Sequence, residues 1–413
     1  MKKRVVITGM GMISPIGNSV NEAFQNAING VSGIKIIDSF NTDELKVKIA
    51  APVENFDPSP ILSKREIRRQ DLFSQFAVVG AHQAFEDSKL EGNIDPKRLG
   101  VILGTGMGGM QTYANDLNKA FDGGLKKIPP MFIPMIIPNM ASGNVAIAFN
   151  AQAHTTTITT ACAAATHAIG DAYRLIQHDY ADAMITGGTE AAVNPYTLAG
   201  FSALTALSTN PDPSKASRPF DKHRDGFVLG EGAGILVIES LDHALNRKAH
   251  IYAEIIGYGS SSDAYHITAP NGIGAQDAMK LALDDANLKP EDVDYINAHG
   301  TSTPINDKFE TDAIKQVFKD HAYHLAISST KSMHGHALGA TGGIEAILSV
   351  KTITEGVIPP TINQETSDEE CDLNYTPNVA QKKNIDVAMS TSLGFGGHNA
   401  VLIFRKYGEK HDS

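Results

Sequence analysis

Cys162 stands in Thr159-Thr160-Ala161-Cys162-Ala163-Ala164-Ala165, where a Thr-rich extended run gives way to a helical pattern. A thiol at the start of a helix faces unpaired N–H groups and the positive end of the dipole, which favour thiolate, the attacking form of cysteine. Far downstream, two turns carry histidine: His299-Gly300-Thr301-Ser302-Thr303-Pro304 and Lys331-Ser332-Met333-His334-Gly335-His336. An imidazole beside a thiol is the pairing that nucleophilic catalysis uses. The combination predicts thiol-based acyl transfer. A lone histidine reads more simply as a satisfied interior residue; histidines in two glycine-containing turns, together with a helix-start cysteine, weigh against that.

The elements that must position these residues are legible as an alternation. Short β-rich runs fall at Arg4 to Thr8, Leu99 to Gly104, Ala183 to Thr186, Gly234 to Glu239, Tyr252 to Gly257 and Val387 to Ser390, with helical patterns between them. That is an α/β pattern. After Cys162, Ile169, Ala172, Leu175 and Ile176 recur at helical spacing, so the sulfur sits on a rigid element. The chain closes with strand, turn Gly394-Phe395-Gly396-Gly397, and strand Ala400 to Phe404, a tight hairpin with Phe395 at its tip. No low-complexity linker interrupts the chain. A boundary near residue 250 therefore divides two packed halves, 1–250 with the nucleophile and 251–413 with both histidines. The polar tail from Gly408 to Ser413 is expected to fray.

The 413 residues are 42% apolar, enough for a large core, and no stretch approaches the roughly 18 apolar residues of a membrane helix. Lys2-Lys3-Arg4 before Val5-Val6-Ile7 loosely mimics a signal peptide, but the apolar run is short and turns to glycine; it reads as a first buried strand. The only cysteines, Cys162 and Cys371, lie far apart, which gives no disulfide framework and fits the cytoplasm. Cys371 reads as structural. With 35 cationic against 46 acidic residues the net charge is −11, so nucleic acid is an unlikely general partner and an anionic partner needs a local patch. Lys64-Arg65-Glu66-Ile67-Arg68-Arg69 is one such patch, and Lys126-Lys127 a second cationic pair.

Two other motifs suggest different chemistry. Gly104-Thr105-Gly106-Met107-Gly108-Gly109 fits G-x-G-x-x-G after a strand. A dinucleotide unit also needs a helix, a second strand and an acidic residue about 20 positions on, whereas this chain runs into Lys126-Lys127-Ile128-Pro129-Pro130. The turn is read instead as pocket lining, with Met107 its one bulky side chain. His299, His334 and His336 invite a zinc reading. Neither histidine turn carries an Asp or Glu to fill an inner shell, and zinc would quench an adjacent reactive thiol, so no metal is expected.

Taken together these segments resemble the 3-oxoacyl-[acyl-carrier-protein] synthases, particularly the type II condensing enzymes. The resemblance runs from Val5-Val6-Ile7-Thr8-Gly9 through Ala161-Cys162-Ala163, Gly187-Gly188-Thr189-Glu190, Ser217-Arg218-Pro219-Phe220-Asp221, Asp225-Gly226-Phe227, the two histidine turns and Gly335-His336-Ala337-Leu338-Gly339-Ala340 to Gly394-Phe395-Gly396-Gly397. It implies a thiolase-like fold, two similar halves each with a five-stranded mixed sheet in a layered αβαβα architecture, and a homodimer. It implies Cys162 as acyl-accepting nucleophile, His299 and His336 as the decarboxylation and condensation pair, and the N–H groups of Cys162 and Phe395 as oxyanion hole. Lys331 would pair with Glu345 and hold the His336 loop, with Asp307 and Glu310 in the same buried network. Thr301 and Thr303 would hold the phosphopantetheine arm, Phe395 would gate the acyl pocket, and Met107, Phe132 and Phe201 would wall it. Arg65, Arg68, Arg69, Lys126 and Lys127 would face acyl carrier protein. No cofactor is implied, because loss of CO2 drives bond formation.

The chain departs from the family pattern at His334 (commonly Thr), Asn306 (Gly), Ala164 and Ala165 (small Thr or Ser and Gly), and Thr205 (often Arg). Within the same fold, a shorter-chain or polyketide-type condensing enzyme is the runner-up. A non-catalytic partner subunit that only sets chain length would lack the cysteine that this chain keeps. A degradative thiolase would place a second cysteine near the last glycine turn, where this chain has Phe395 and His398.

Overall fold

A computed structural model of the chain describes residues 2–408. Of the tail expected to fray, residues 409–413 lie outside the described residues. The main sheet has ten strands. In chain order they are β1 (Val5–Ile13), β2 (Leu99–Gly104), β3 (Thr155–Ile158), β4 (Ala183–Glu190) and β5 (Gly232–Ser240), then β6 (Ala253–Ser262), β7 (Tyr295–Asn297), β8 (Ala326–Ser328), β9 (Val387–Gly394) and β10 (His398–Lys406). Their order across the sheet is β8-β7-β9-β10-β6-β1-β5-β4-β2-β3.

Outward from the β1–β6 seam, each set of five runs first, fifth, fourth, second, third. In each, the two inner pairings are antiparallel and the two outer ones parallel. One topology is thus used twice. As the resemblance implied, each half contributes five strands; the seam, where Val5–Ile7 pairs antiparallel with Ala253–Ile255, joins the two sets by hydrogen bonds.

Five helices build the layers: α1 (Leu72–Ser88), α2 (Ala164–Gln177), α3 (Ile273–Ala286), α4 (Pro304–Phe318) and α5 (Thr341–Glu355). α1 covers β1, β4 and β5, and α3 covers β6 and β10. α2 and α5 touch each other and strands of both sets, so they lie between the halves and complete the αβαβα stack of a thiolase-like fold. α5 is buried from Thr341 through Ile353. A helix enclosed on every side has no water for its polar side chains. Ser349 and Thr352 meet that demand by bonding back to the carbonyls of Glu345 and Leu348 at 2.7 and 2.9 Å; Glu345 needs a partner from elsewhere.

β1 runs five residues past the expected Thr8. Gly9 and Gly11, where the apolar run gives way to glycine, serve close packing: a Cβ on Gly9 would fall 2.0 Å from the carbonyl oxygen of Ala84 in α1. β7 and β8 went unseen because three residues are too few to show alternation. Among the described residues no helix is long and apolar enough to cross a membrane.

Candidate active site

The nucleophile sits where β3 feeds α2. Ala161–Ala163 forms one tight turn before the helix, and Ala161 takes a left-handed backbone, φ 50°, at a cost of about 1 kcal/mol. That turn presents Cys162 at the helix entrance, where it is 9% exposed and lines a cavity of about 490 Å3. The backbone N–H groups of Phe395 and of Cys162 itself are close enough to the sulfur to pull its pKa down. Phe395 occupies the tip of the β9–β10 hairpin, as its sequence predicts.

Ionisation differs from expectation. Burial pushes the Cys162 thiol up to about 12, against the pull of Lys331 and the two N–H donors. The sulfur at rest is therefore a thiol. The helix end alone suggested thiolate; burial of the sulfur outweighs it.

His299 follows β7, and its ring meets that of His336 edge-on, centroids 5.4 Å apart and planes at 86°. Both line the cavity with Cys162. Glu310 on α4 fixes the His299 turn, accepting from the N–H of His299 and of Gly300, each at 2.7 Å, and from Thr391 Oγ1 at 2.8 Å. Lys331 donates to the His299 carbonyl oxygen and, at 2.5 Å, to Glu345 Oε1. Its ammonium thus steadies His299 as well as its own loop. His336 is held by its N–H on Val228 O at 2.7 Å, by its carbonyl accepting from Gly230 at 2.9 Å, and by Thr341 Oγ1 on Nδ1 at 3.1 Å. A hydroxyl can donate to Nδ1, and the tautomer that this pairing favours carries its ring proton on Nε2. Burial, with help from Lys331, holds both imidazoles well below the usual histidine range, so both are neutral.

Asp307 lies beneath the same wall, accepting from Phe220 N at 2.9 Å with Arg224 Nε at 3.7 Å; burial raises it to about 6. Glu345 is raised to about 7 for the same reason. Thr301, Thr303, Met107 and Phe201 line the cavity, the two threonine hydroxyls 2.9 Å apart. Phe132 does not: it lies outside the lining, its ring 6.0 Å from that of Tyr113. Asn306 and Thr205 also line the cavity, whereas His334 is buried off it with Nε2 on Thr330 Oγ1 at 2.9 Å.

Arg65, Arg68, Arg69, Lys126 and Lys127 are exposed, and among the described residues none is in an ion pair. Glu66, the one acid in that run, is taken up by a capping box with Ser63. Cys371 is buried in the second half, its thiol raised to about 12.

Sequence reasoning assigned no role to two features. The segment 263–270 lines the cavity and is tied to the hairpin through Asp263 N on Gly397 O at 2.9 Å, Gly396 N on Ile267 O at 2.7 Å and Asn399 Nδ2 on Asp263 Oδ1 at 2.9 Å. Glu190, fully buried at the end of β4, gathers four hydrogen-bond donors from two distant stretches of chain.

Comparison with known proteins agrees with this geometry. Residues 2–244 match the model of the beta-ketoacyl synthase N-terminal domain and residues 252–365 that of the C-terminal domain. The chain is 52% identical over 408 residues to 3-oxoacyl-[acyl-carrier-protein] synthase 2 of Staphylococcus aureus, covering 98% of this chain and 99% of that one. It is 51% identical over 410 residues to the enzyme of the same name from Synechocystis, with the same coverage. A beta-ketoacyl synthase from Burkholderia phymatum superposes with a TM-score of 0.91 at 33% identity, over 98% of this chain and all of that one. A type II polyketide ketosynthase solved with its acyl carrier protein superposes at 0.92 with 35% identity, over 99% of this chain and all of that one. With a reactive-site cysteine, two neutral histidines and matches to both domains, the chain belongs to the beta-ketoacyl synthase family of condensing acyltransferases.

Proposed function

We propose that this chain catalyses the decarboxylative condensation of a malonyl thioester with an acyl chain held on Cys162, both delivered on acyl carrier protein, in fatty acid elongation. The observation that carries this reading is one cavity lined by Cys162, His299, His336 and Phe395, in a chain 52% identical to a 3-oxoacyl-[acyl-carrier-protein] synthase 2.

In the first half-reaction the Cys162 sulfur attacks the acyl carbonyl of the carrier thioester. The carbon–sulfur bond to the carrier breaks, and the thiol proton passes to the departing carrier sulfur, relayed by a neutral imidazole. The N–H groups of Cys162 and Phe395 near the sulfur are suited to the oxyanion that develops. In the second, the malonyl carboxylate leaves as CO2, and the electron pair moves onto the thioester as an enolate. Neutral N–H donors on His299 and His336 stabilise that oxygen without protonating the carboxylate. The enolate carbon attacks the acyl-cysteine, the new carbon–carbon bond forms, and the Cys162–acyl bond breaks, releasing a sulfur that takes up a proton. The energy comes from CO2 release, so the steps call for no cofactor.

The same reading includes a cytoplasmic homodimer. A dimer is supported by β3, which among the described residues ends the sheet with a free edge, and by the neighbouring helix Met140–Ala148, whose Ile147 is 79% exposed. Pairing two β3 edges would cover both.

The test is Cys162→Ala with purified acyl and malonyl carriers. Acyl transfer and 3-oxoacyl product should vanish while CO2 release from malonyl carrier persists. Normal elongation by the variant would reject the reading.

A further inference from the structure

The glycine-rich turn after β2 has the spacing of a phosphate cradle, and its N–H groups hold the carboxyl group of Glu190. Oε2 accepts from Gly106 N at 2.6 Å and from Gly339 N at 3.0 Å. Oε1 accepts from Met107 N and from Thr105 Oγ1, both at 3.1 Å. Glu190 is 0% exposed, and burial raises it to about 7 against the pull of these four donors, which stand in place of a cation and favour the ionised form. Two separate pieces of cavity wall therefore meet on one side chain: Met107 from the first half, and Leu338, which immediately precedes Gly339, from the second. The approach is close enough that a Cβ on Gly339 would fall 2.2 Å from Gly106 N. His336, on the same loop, is anchored independently by Val228, Gly230 and Thr341.

We propose that Glu190 is a positioning residue that sets acyl-chain selectivity: by tying the backbone at Met107 to that at Gly339, it fixes the wall against which a chain on Cys162 lies. The proposal rests on the condensing-enzyme reading and goes beyond it. A carboxylate suits the task because both oxygens only accept, matching four donors; an amide of the same shape would turn a donor against one pair of them. Buried donors without acceptors are destabilising, so the wall must repack. The decarboxylation site, with its own anchors, need not follow.

The experiment is Glu190→Gln in the full-length protein, assayed for acyl transfer from carriers bearing saturated chains of graded length, and separately for CO2 release from malonyl carrier. The long-to-short ratio of kcat/KM should change by about tenfold, the rate equivalent of one buried donor left unpaired, with CO2 release near the wild-type rate. Combined with Met107→Ala, the change in ratio should be less than additive, because both act on one wall. An unchanged ratio in folded protein overturns the proposal. So does a uniform fall in every rate, which is what a purely structural residue gives. Should Glu190→Gln fail to fold, Glu190→Asp, charged but too short to span both stretches, is read the same way. Wild-type protein that forms no 3-oxoacyl product at all would sink the condensing reading itself, and this proposal with it.

Discussion

Removing the ammonium of Lys331 should destabilise the protein in a pH-dependent manner, through Glu345. Lys331 is 1% exposed and Glu345 fully buried, and they meet at 2.5 Å. In Lys331→Met the stem still fills its space, but Glu345 is left as a buried carboxyl without a cation. Breaking such a pair costs about 3–5 kcal/mol. Glu345 is already raised from 4.5 to about 7 with Lys331 pulling it down; without that pull it rises further. A carboxyl whose folded pKa exceeds its unfolded value keeps its proton in the folded state after the unfolded chain has lost it. The folded state then binds more protons, and stability falls as pH rises through that window, by up to about 1.4 kcal/mol per pH unit. Urea unfolding at fixed protein concentration should show a loss relative to wild type that is about 1.4 kcal/mol greater near about pH 8 than near about pH 5.5, because the wild-type Glu345 follows the same slope only up to about 7. Adding Glu345→Gln should restore most of the stability and abolish the pH dependence. It should not restore decarboxylation, because the His299 carbonyl still lacks its donor. Equal losses at both pH values, or a double variant with normal CO2 release, would refute the reasoning.

Two further outcomes are expected. Alkylation of Cys162 by iodoacetamide, followed by peptide mapping, should be slow at neutral pH and climb about tenfold per pH unit past the ordinary thiol value of about 8.5; a plateau by then would mean that Lys331 and the helix end outweigh burial. Reversing Arg65, Arg68 and Arg69 to Glu should raise the apparent KM for carrier-bound substrates with little change in kcat, and added salt should do the same to the wild type. An unchanged KM would remove that surface from the carrier site.

What could be read from sequence was what one short stretch encodes by itself. The entry of α2 at Cys162, the hairpin bearing Phe395 and the glycine turns around His299 and His336 each follow from neighbouring residue types. The cavity that unites them, and so its residue roles, came only with the family resemblance, since no local signal says that residues 162, 299, 336 and 395 meet. Glu190 shows the limit: it stood inside a quoted motif, yet its partners come from Thr105 to Met107 and from Gly339, and only the folded chain brings these together. The thiol failed for a related reason. A helix start is visible in sequence, but the burial of the sulfur is a property of thirty lining residues from many elements. Phe132 was placed on the cavity wall by analogy, and within its own chain it stands away.

The twice-used topology also has a consequence in time. Cys162 leaves the ribosome with well over a hundred residues still to come before His299, and more before the Phe395 hairpin. At about 5–20 residues per second, that interval is on the order of ten seconds. Throughout it the nascent N-terminal unit exposes a sulfur with no oxyanion donor from the last turn, no imidazole and no Lys331. An unfinished chain therefore lacks the donors that stabilise acyl transfer and the imidazoles that drive condensation, because competence arrives only with the final strand pair.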